Sequence, residues 1–166
     1  MLQLTLPATS ALWLLIAALP ISVFVAFNDM KSMKIPNVAV GALVVGYAVL
    51  GLFAFDFTTY LWQWTHLIVV LVLGIILNAA GVMGAGDAKF AAAAAPFILL
   101  ADLVPLAWIF AGCIAAGFVA HRIAKHTPLR ALVPDWQSWT SGKRFPMGLP
   151  LGMTLISYLA LAAYGA

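Results

Sequence analysis

Phe90-Ala91-Ala92-Ala93-Ala94-Ala95-Pro96-Phe97-Ile98-Leu99-Leu100 is the stretch that decides how this chain is threaded. It lies within Ala88–Leu103, which as a helix would rise about 24 Å, short of a ~30 Å hydrocarbon layer, and Pro96 would bend it. Apolar runs flank it on both sides: Ala8–Phe27, Asn37–Phe55 and Leu61–Met83 before, Pro105–Ala120 and Pro146–Tyr164 after. Each of these reads as a membrane span. The charges decide whether the short stretch crosses as well. If it does, Asn28–Pro36, Gly84–Lys89 and His121–Phe145 share one side and hold all eight Lys and Arg. The termini, Asp56–Tyr60 and Ala101–Val104 then share the other side, with none. If it does not, five of the eight fall on the wrong face. Basic residues gather on the cytoplasmic side of spanning proteins, so a crossing is expected. The expected fold is an all-α, polytopic membrane bundle of about six transmembrane helices. Residues 1–166 are expected to form one membrane-embedded domain with both termini outside the cytoplasm.

Composition agrees with a membrane setting. Of 166 residues, 65% are hydrophobic, only 8% are charged, and none is glutamate. A soluble domain is roughly a quarter charged. A soluble enzyme and a disordered chain are both excluded. The net charge of +3 does not point to nucleic acid, because the basic residues sit in short breaks between apolar runs. The lipid bilayer is the partner they fit. Met1–Asn28 is uncharged, lacks the basic start of a signal peptide and is too long for one, so a retained helix is expected. The single cysteine, Cys113, reads as a small buried residue, and no cofactor or metal is implied. His121 and His126, with Trp136 and Trp139 in the same long connection, suit a loop in the headgroup region.

Five acidic residues can be taken singly. Asp56 and Asp102 fall in the outer loops, where solvated carboxylates are expected. Asp135 follows Pro134 in a turn. Asp29 and Asp87 differ, since one closes the first helix and the other opens the fourth at the same membrane boundary. Around the first the sequence is Asn28-Asp29-Met30-Lys31-Ser32-Met33-Lys34-Ile35-Pro36-Asn37. Its plain reading is a polar connection, with Pro36 pre-setting the next helix. Around the second it is Gly84-Ala85-Gly86-Asp87-Ala88-Lys89. Here the plain reading is a helix N-cap at Asp87 and an interfacial anchor at Lys89. Gly84 and Gly86 permit a close approach by another chain.

Together these two motifs resemble the type IV prepilin peptidases, intramembrane aspartic proteases with a Gly-x-Gly-Asp motif. The resemblance runs through nearly the whole chain in order and spacing, and Phe145-Pro146-Met147-Gly148-Leu149-Pro150 is similar to a looser stretch before the family's last helix. It implies Asp29 and Asp87 as the catalytic pair, with Gly84, Gly86, Lys89, Pro36 and Asn37 supporting them. The implied substrate is a prepilin, cleaved between a cytoplasmic leader and an apolar helix at the inner membrane boundary. Lys89 is expected to balance charge near the pair, and the two glycines to admit an extended substrate backbone. Larger members carry an extra domain with paired cysteines and also N-methylate the mature pilin. This chain lacks such cysteines and is similar to the short peptidases of tight-adherence (Flp) pilus systems, so no methyltransferase activity is expected. Two other classes compete: a non-catalytic membrane component of a pilus or secretion assembly, and a small proton-coupled transporter. The transporter would place a charge near the midplane, and the sequence offers none there.

Overall fold

The computed structural model describes residues 3–142 and 144–165; Lys143, one of the eight basic residues, lies outside them. Among the described residues there are six α-helices and no strand: α1 (Ala8–Ser32), α2 (Asn37–Ala54), α3 (Phe57–Ala79), α4 (Ala85–Ala94), α5 (Leu103–His126) and α6 (Gly148–Tyr164). Four stretches are long and apolar enough to cross a membrane: α1, α2, α3 and Leu100–His126. The chain is a helical membrane bundle, as expected.

Several helices outrun the apolar runs that announced them. α1 continues past Phe27 to Ser32 because Asn28 and Ser32 satisfy local groups. Asn28 Nδ2 donates to the Lys34 carbonyl (2.7 Å), and Ser32 Oγ to the Asn28 carbonyl (2.8 Å). It stops at Met33, in the left-handed region at φ 52°, whose N–H donates to the Asp29 carbonyl. α3 starts at Phe57, not Leu61, because Asp56 Oδ1 accepts from the Thr58 and Thr59 amides (both 3.1 Å). The Thr59 hydroxyl first, and then these amides, hold the Asp56 carboxyl below the usual carboxylate range. It ends at Ala79, where Gly81 takes φ 74° and the Val82 N–H reaches back to the Leu77 carbonyl, a Schellman-type stop. α5 runs on to His126, so His121 is helical and buried, not in a headgroup loop.

α1 packs against α2 and α6, α5 lies against α6, and α4 is wedged against α3, α2 and α6. The core joins Leu14, Ala18 and Val25 of α1 to Leu43 and Tyr47 of α2, Phe90 and Phe97, and Leu155 and Leu159 of α6. Cys113 is buried as expected. The outward faces are apolar too: Ile68, Val72 and Ile76 of α3 are all more than half or about half exposed. Such a surface fits hydrocarbon and would aggregate in water.

The short alanine stretch does run from one end of the bundle to the other. At its start Gly86 lies against Ile35, just beyond the end of α1, while Asp102 bonds Thr5 and Leu6, just before α1 begins. It manages the distance by not remaining helical. Pro96 converts the chain to a 3-10 turn (Ala95–Phe97), and Ile98 and Leu99 are extended, which covers about twice as much length per residue. Irregular backbone at this depth needs protein partners. Gln63, 1% exposed, donates to the carbonyls of Pro96 and Ile98 (3.0 Å each), and the Leu99 N–H donates to Tyr158 Oη (3.3 Å).

Asp102 overturns its expectation. It is fully buried, not solvated. Oδ1 accepts from the Thr5 amide and hydroxyl (2.7 Å each), and Oδ2 from the Tyr158 hydroxyl (2.7 Å) and the Leu6 amide (3.2 Å). The carboxylate ties the chain before α1, the start of α5 and the end of α6 together.

Candidate active site

Asp29 owes its place to the periodicity of α1. Ala11, Leu14, Ala18, Ser22, Val25 and Asp29 are its buried stripe, spaced three or four residues apart, so one helical face carries them all. That face meets α6, where Gly148-x-x-x-Gly152 lets the two backbones close up. A Cβ on Gly152 would stand 2.8 Å from the Ser22 carbonyl oxygen, and one on Gly148 would stand 2.8 Å from Asp29 Cβ. The Gly148 N–H donates to Asp29 Oδ2 at 2.7 Å. The carboxylate thus faces the amino-terminal end of α6, where unsatisfied amides concentrate positive potential.

Asp87 comes from the opposite side. Gly84 is the N-cap of α4, which places Asp87 in the first turn and corrects the reading of Asp87 as the cap itself. Its carboxylate turns back toward the Gly84 backbone in the manner of the acidic member of a capping box. A Cβ on Gly84 would lie 2.7 Å from Asp87 Oδ2. Gly86 lies against Ile35, 3.3 Å from its would-be Cβ to Ile35 Cβ. Both glycines therefore make room for the protein's own parts. Lys89 Nζ donates to Asn37 Oδ1 (3.2 Å), which pins the start of α4 to the start of α2. Among the described residues it forms no ion pair with either aspartate. Pro36 precedes the first residue of α2, and its carbonyl accepts the Ala39 and Val40 amides.

The two carboxylates are close enough for the charge of Asp29 to act on Asp87. Asp29 is 5% exposed and Asp87 is half-buried, so one wall of the site is the bundle and the other opens at its end. A pair of carboxylates that interact in a partly dry place can hold one proton between them. Such a pair can take a proton from water and deliver one to a neighbouring oxygen or nitrogen. All seven residues singled out in the sequence meet at this end, together with every described Lys and Arg. Gly148 was missed as a site residue. Its signal was the Gly-x-x-x-Gly spacing at the start of the last helix. A cleft of about 420 Å³, lined by Thr5, Ser10, Asp56 and Thr59 among others, opens at the opposite end.

Residues 16–121 match the family model described as the Type IV leader peptidase family, a span that contains both aspartate motifs and stops short of Gly148. No curated protein and no solved structure matches the chain.

Proposed function

The chain belongs to the type IV leader peptidase family, and from that premise we propose that Asp29 and Asp87 are the catalytic pair of an aspartic endopeptidase. Membership makes the chain a protease, and its apolar helices place it in a membrane. The finer reading is that it removes the cytoplasmic leader of a Flp-like prepilin at the inner boundary of the bacterial inner membrane. Residues 1–166 act as one domain in this reading, and methylation of the new terminus is not part of it. The observation that carries it is the convergence of two carboxylates, delivered by α1 and α4, at the basic end of the bundle.

In this mechanism one carboxylate takes a proton from water as the water oxygen attacks the scissile carbonyl carbon. The protonated partner hydrogen-bonds the carbonyl oxygen as it gains negative charge. The proton taken from water then passes to the leaving nitrogen as the C–N bond breaks. Gly148 keeps Asp29 in register through its amide. Lys89 and Asn37 hold α4 against α2, so that Asp87 stays opposite. The competing assembly-component reading draws support from one observation, the capping-box pose of Asp87. Asparagine separates the two, because it caps about as well as aspartate and cannot shuttle a proton.

Two measurements test the frame. Thr58→Cys and Thr140→Cys, each in a Cys113→Ala background, should react with an impermeant thiol reagent from outside the cell and only after permeabilisation, respectively. Reaction of both from one side would overturn the orientation. Gly148→Ala puts a methyl where Asp29 stands, and a displacement of this kind can cost about 10²-fold. Leader cleavage should fall by that order at normal levels of inserted protein. Gly41→Ala, where a Cβ meets nothing within 4 Å, should cleave normally, and equal cleavage by both would remove Gly148 from the site.

A further inference from the structure

The basic end of the bundle holds a second place where polar groups are gathered, unpaired among the described residues. Among the described residues His121, 7% exposed, has no partner for Nε2, and Ser138, 1% exposed, has none for Oγ. Buried polar atoms are ordinarily paired, so two orphans in one place call for a ligand. Both line a single small cleft, together with Arg122, Lys125 and Arg144, and among the described residues no carboxylate lines it. The charges of Lys125 and Arg122 act on His121. Its ring is held by Trp139, stacked at 5.0 Å, and by the edge contact of Phe145 at 5.7 Å. A ring fixed this firmly presents Nε2 in one direction.

The geometry points to a site for the phosphate of an anionic phospholipid. The enclosed part of the cleft is about 20 Å³, room for one oxygen. One phosphate oxygen entering it would meet the Ser138 hydroxyl and His121 Nε2. The remaining oxygens would stay at the mouth among Arg122, Lys125 and Arg144, as charge-assisted hydrogen bonding favours. A free phosphate offers the same oxygens, but the surroundings favour a lipid. Phe118, exposed, and Phe145, half-buried, are the apolar lining of the same cleft. They supply a surface for acyl chains beside the headgroup. Basic residues at a membrane face recognise anionic lipids in this way. The cleft shares no lining residue with the aspartate pair, and the proposal does not rest on the proteolytic reading.

The test uses the full chain in detergent, with lipid retention read by native mass spectrometry. Phosphatidylglycerol should be retained, phosphatidylcholine should not, and excess inorganic phosphate should fail to displace the former. The triple variant Arg122→Gln, Lys125→Gln, Arg144→Gln should weaken retention by at least about tenfold. Ser138→Ala should weaken it several-fold while leaving the lipid-free melting temperature unchanged, which guards against a folding defect in the triple variant. Equal retention of both lipids, or retention unchanged in both variants, would overturn the proposal. Displacement by inorganic phosphate would overturn the lipid as its occupant.

Discussion

Asp29→Asn and Asp87→Asn should each abolish leader cleavage, lowering the rate by about 10³-fold or more, while the protein inserts at normal levels. Asparagine retains an oxygen for the Gly148 amide that now bonds Asp29 Oδ2, so the α1–α6 junction has no reason to loosen. It likewise retains an oxygen for the turn at Gly84. What is lost is the ability to take and return a proton. If the two carboxylates act as one unit, the double variant should be no slower than either single one, since coupled catalytic groups are grossly non-additive. Co-expression with a candidate prepilin, read by the gel shift of its leader, measures all three. Asp56→Asn and Asp135→Asn are the controls; Asp56 is an exposed N-cap, which asparagine serves equally well. Full processing by a correctly inserted Asp87→Asn protein would end the aspartic reading.

Much of this could be read in the sequence because the membrane writes itself there in charges. The one-sided distribution of basic residues called for an even number of crossings, and the alanine stretch runs from one end of the bundle to the other. The two aspartate motifs drew attention to residues that the fold does bring together. What escaped reading has a common cause. In α1 the residues facing lipid are as apolar as those facing the core, so Met1–Asn28 carries no amphipathic contrast to reveal that Asp29 continues the stripe from Ala11 to Val25. The inward face differs in size instead, with Ala11, Ala18 and Ser22 where the bundle is tight. Helix ends were misplaced for a related reason. Hydropathy marks where the membrane ends, whereas α1 and α5 continue as long as backbone groups find partners. His121 was assigned to a headgroup loop and Asp102 to water because each stands beside a break in hydropathy. Nothing local announces that Trp139 covers one and Thr5 the other.

Asp102 deserves its own experiment because its partners are so far off in sequence: Thr5 and Leu6 on one side, Tyr158 on the other. Asp102→Ala would leave the Tyr158 hydroxyl, the Thr5 hydroxyl and two amides facing a small apolar gap. Stranding buried donors costs about 1–3 kcal/mol each before any relaxation, and a loss of about 3–5 kcal/mol in total is expected. In a protein of this size that is a drop of about 10 °C in melting temperature. Asp102→Asn should fall between, since one oxygen remains while its NH₂ group meets donors. Tyr158→Phe removes one donor and also the acceptor for the Leu99 amide, so it should destabilise measurably with the carboxylate intact. Cys113 supplies the probe: it is the sole thiol and is buried, so reaction with a thiol-sensitive dye reports unfolding in detergent. At temperatures where Asp102→Ala remains folded, its cleavage should stay near normal, because the carboxylate sits at the opposite end of the bundle from Asp29 and Asp87. That split distinguishes a clasp from a catalytic group. An unchanged melting temperature for Asp102→Ala would mean that the outer end is held by apolar packing alone.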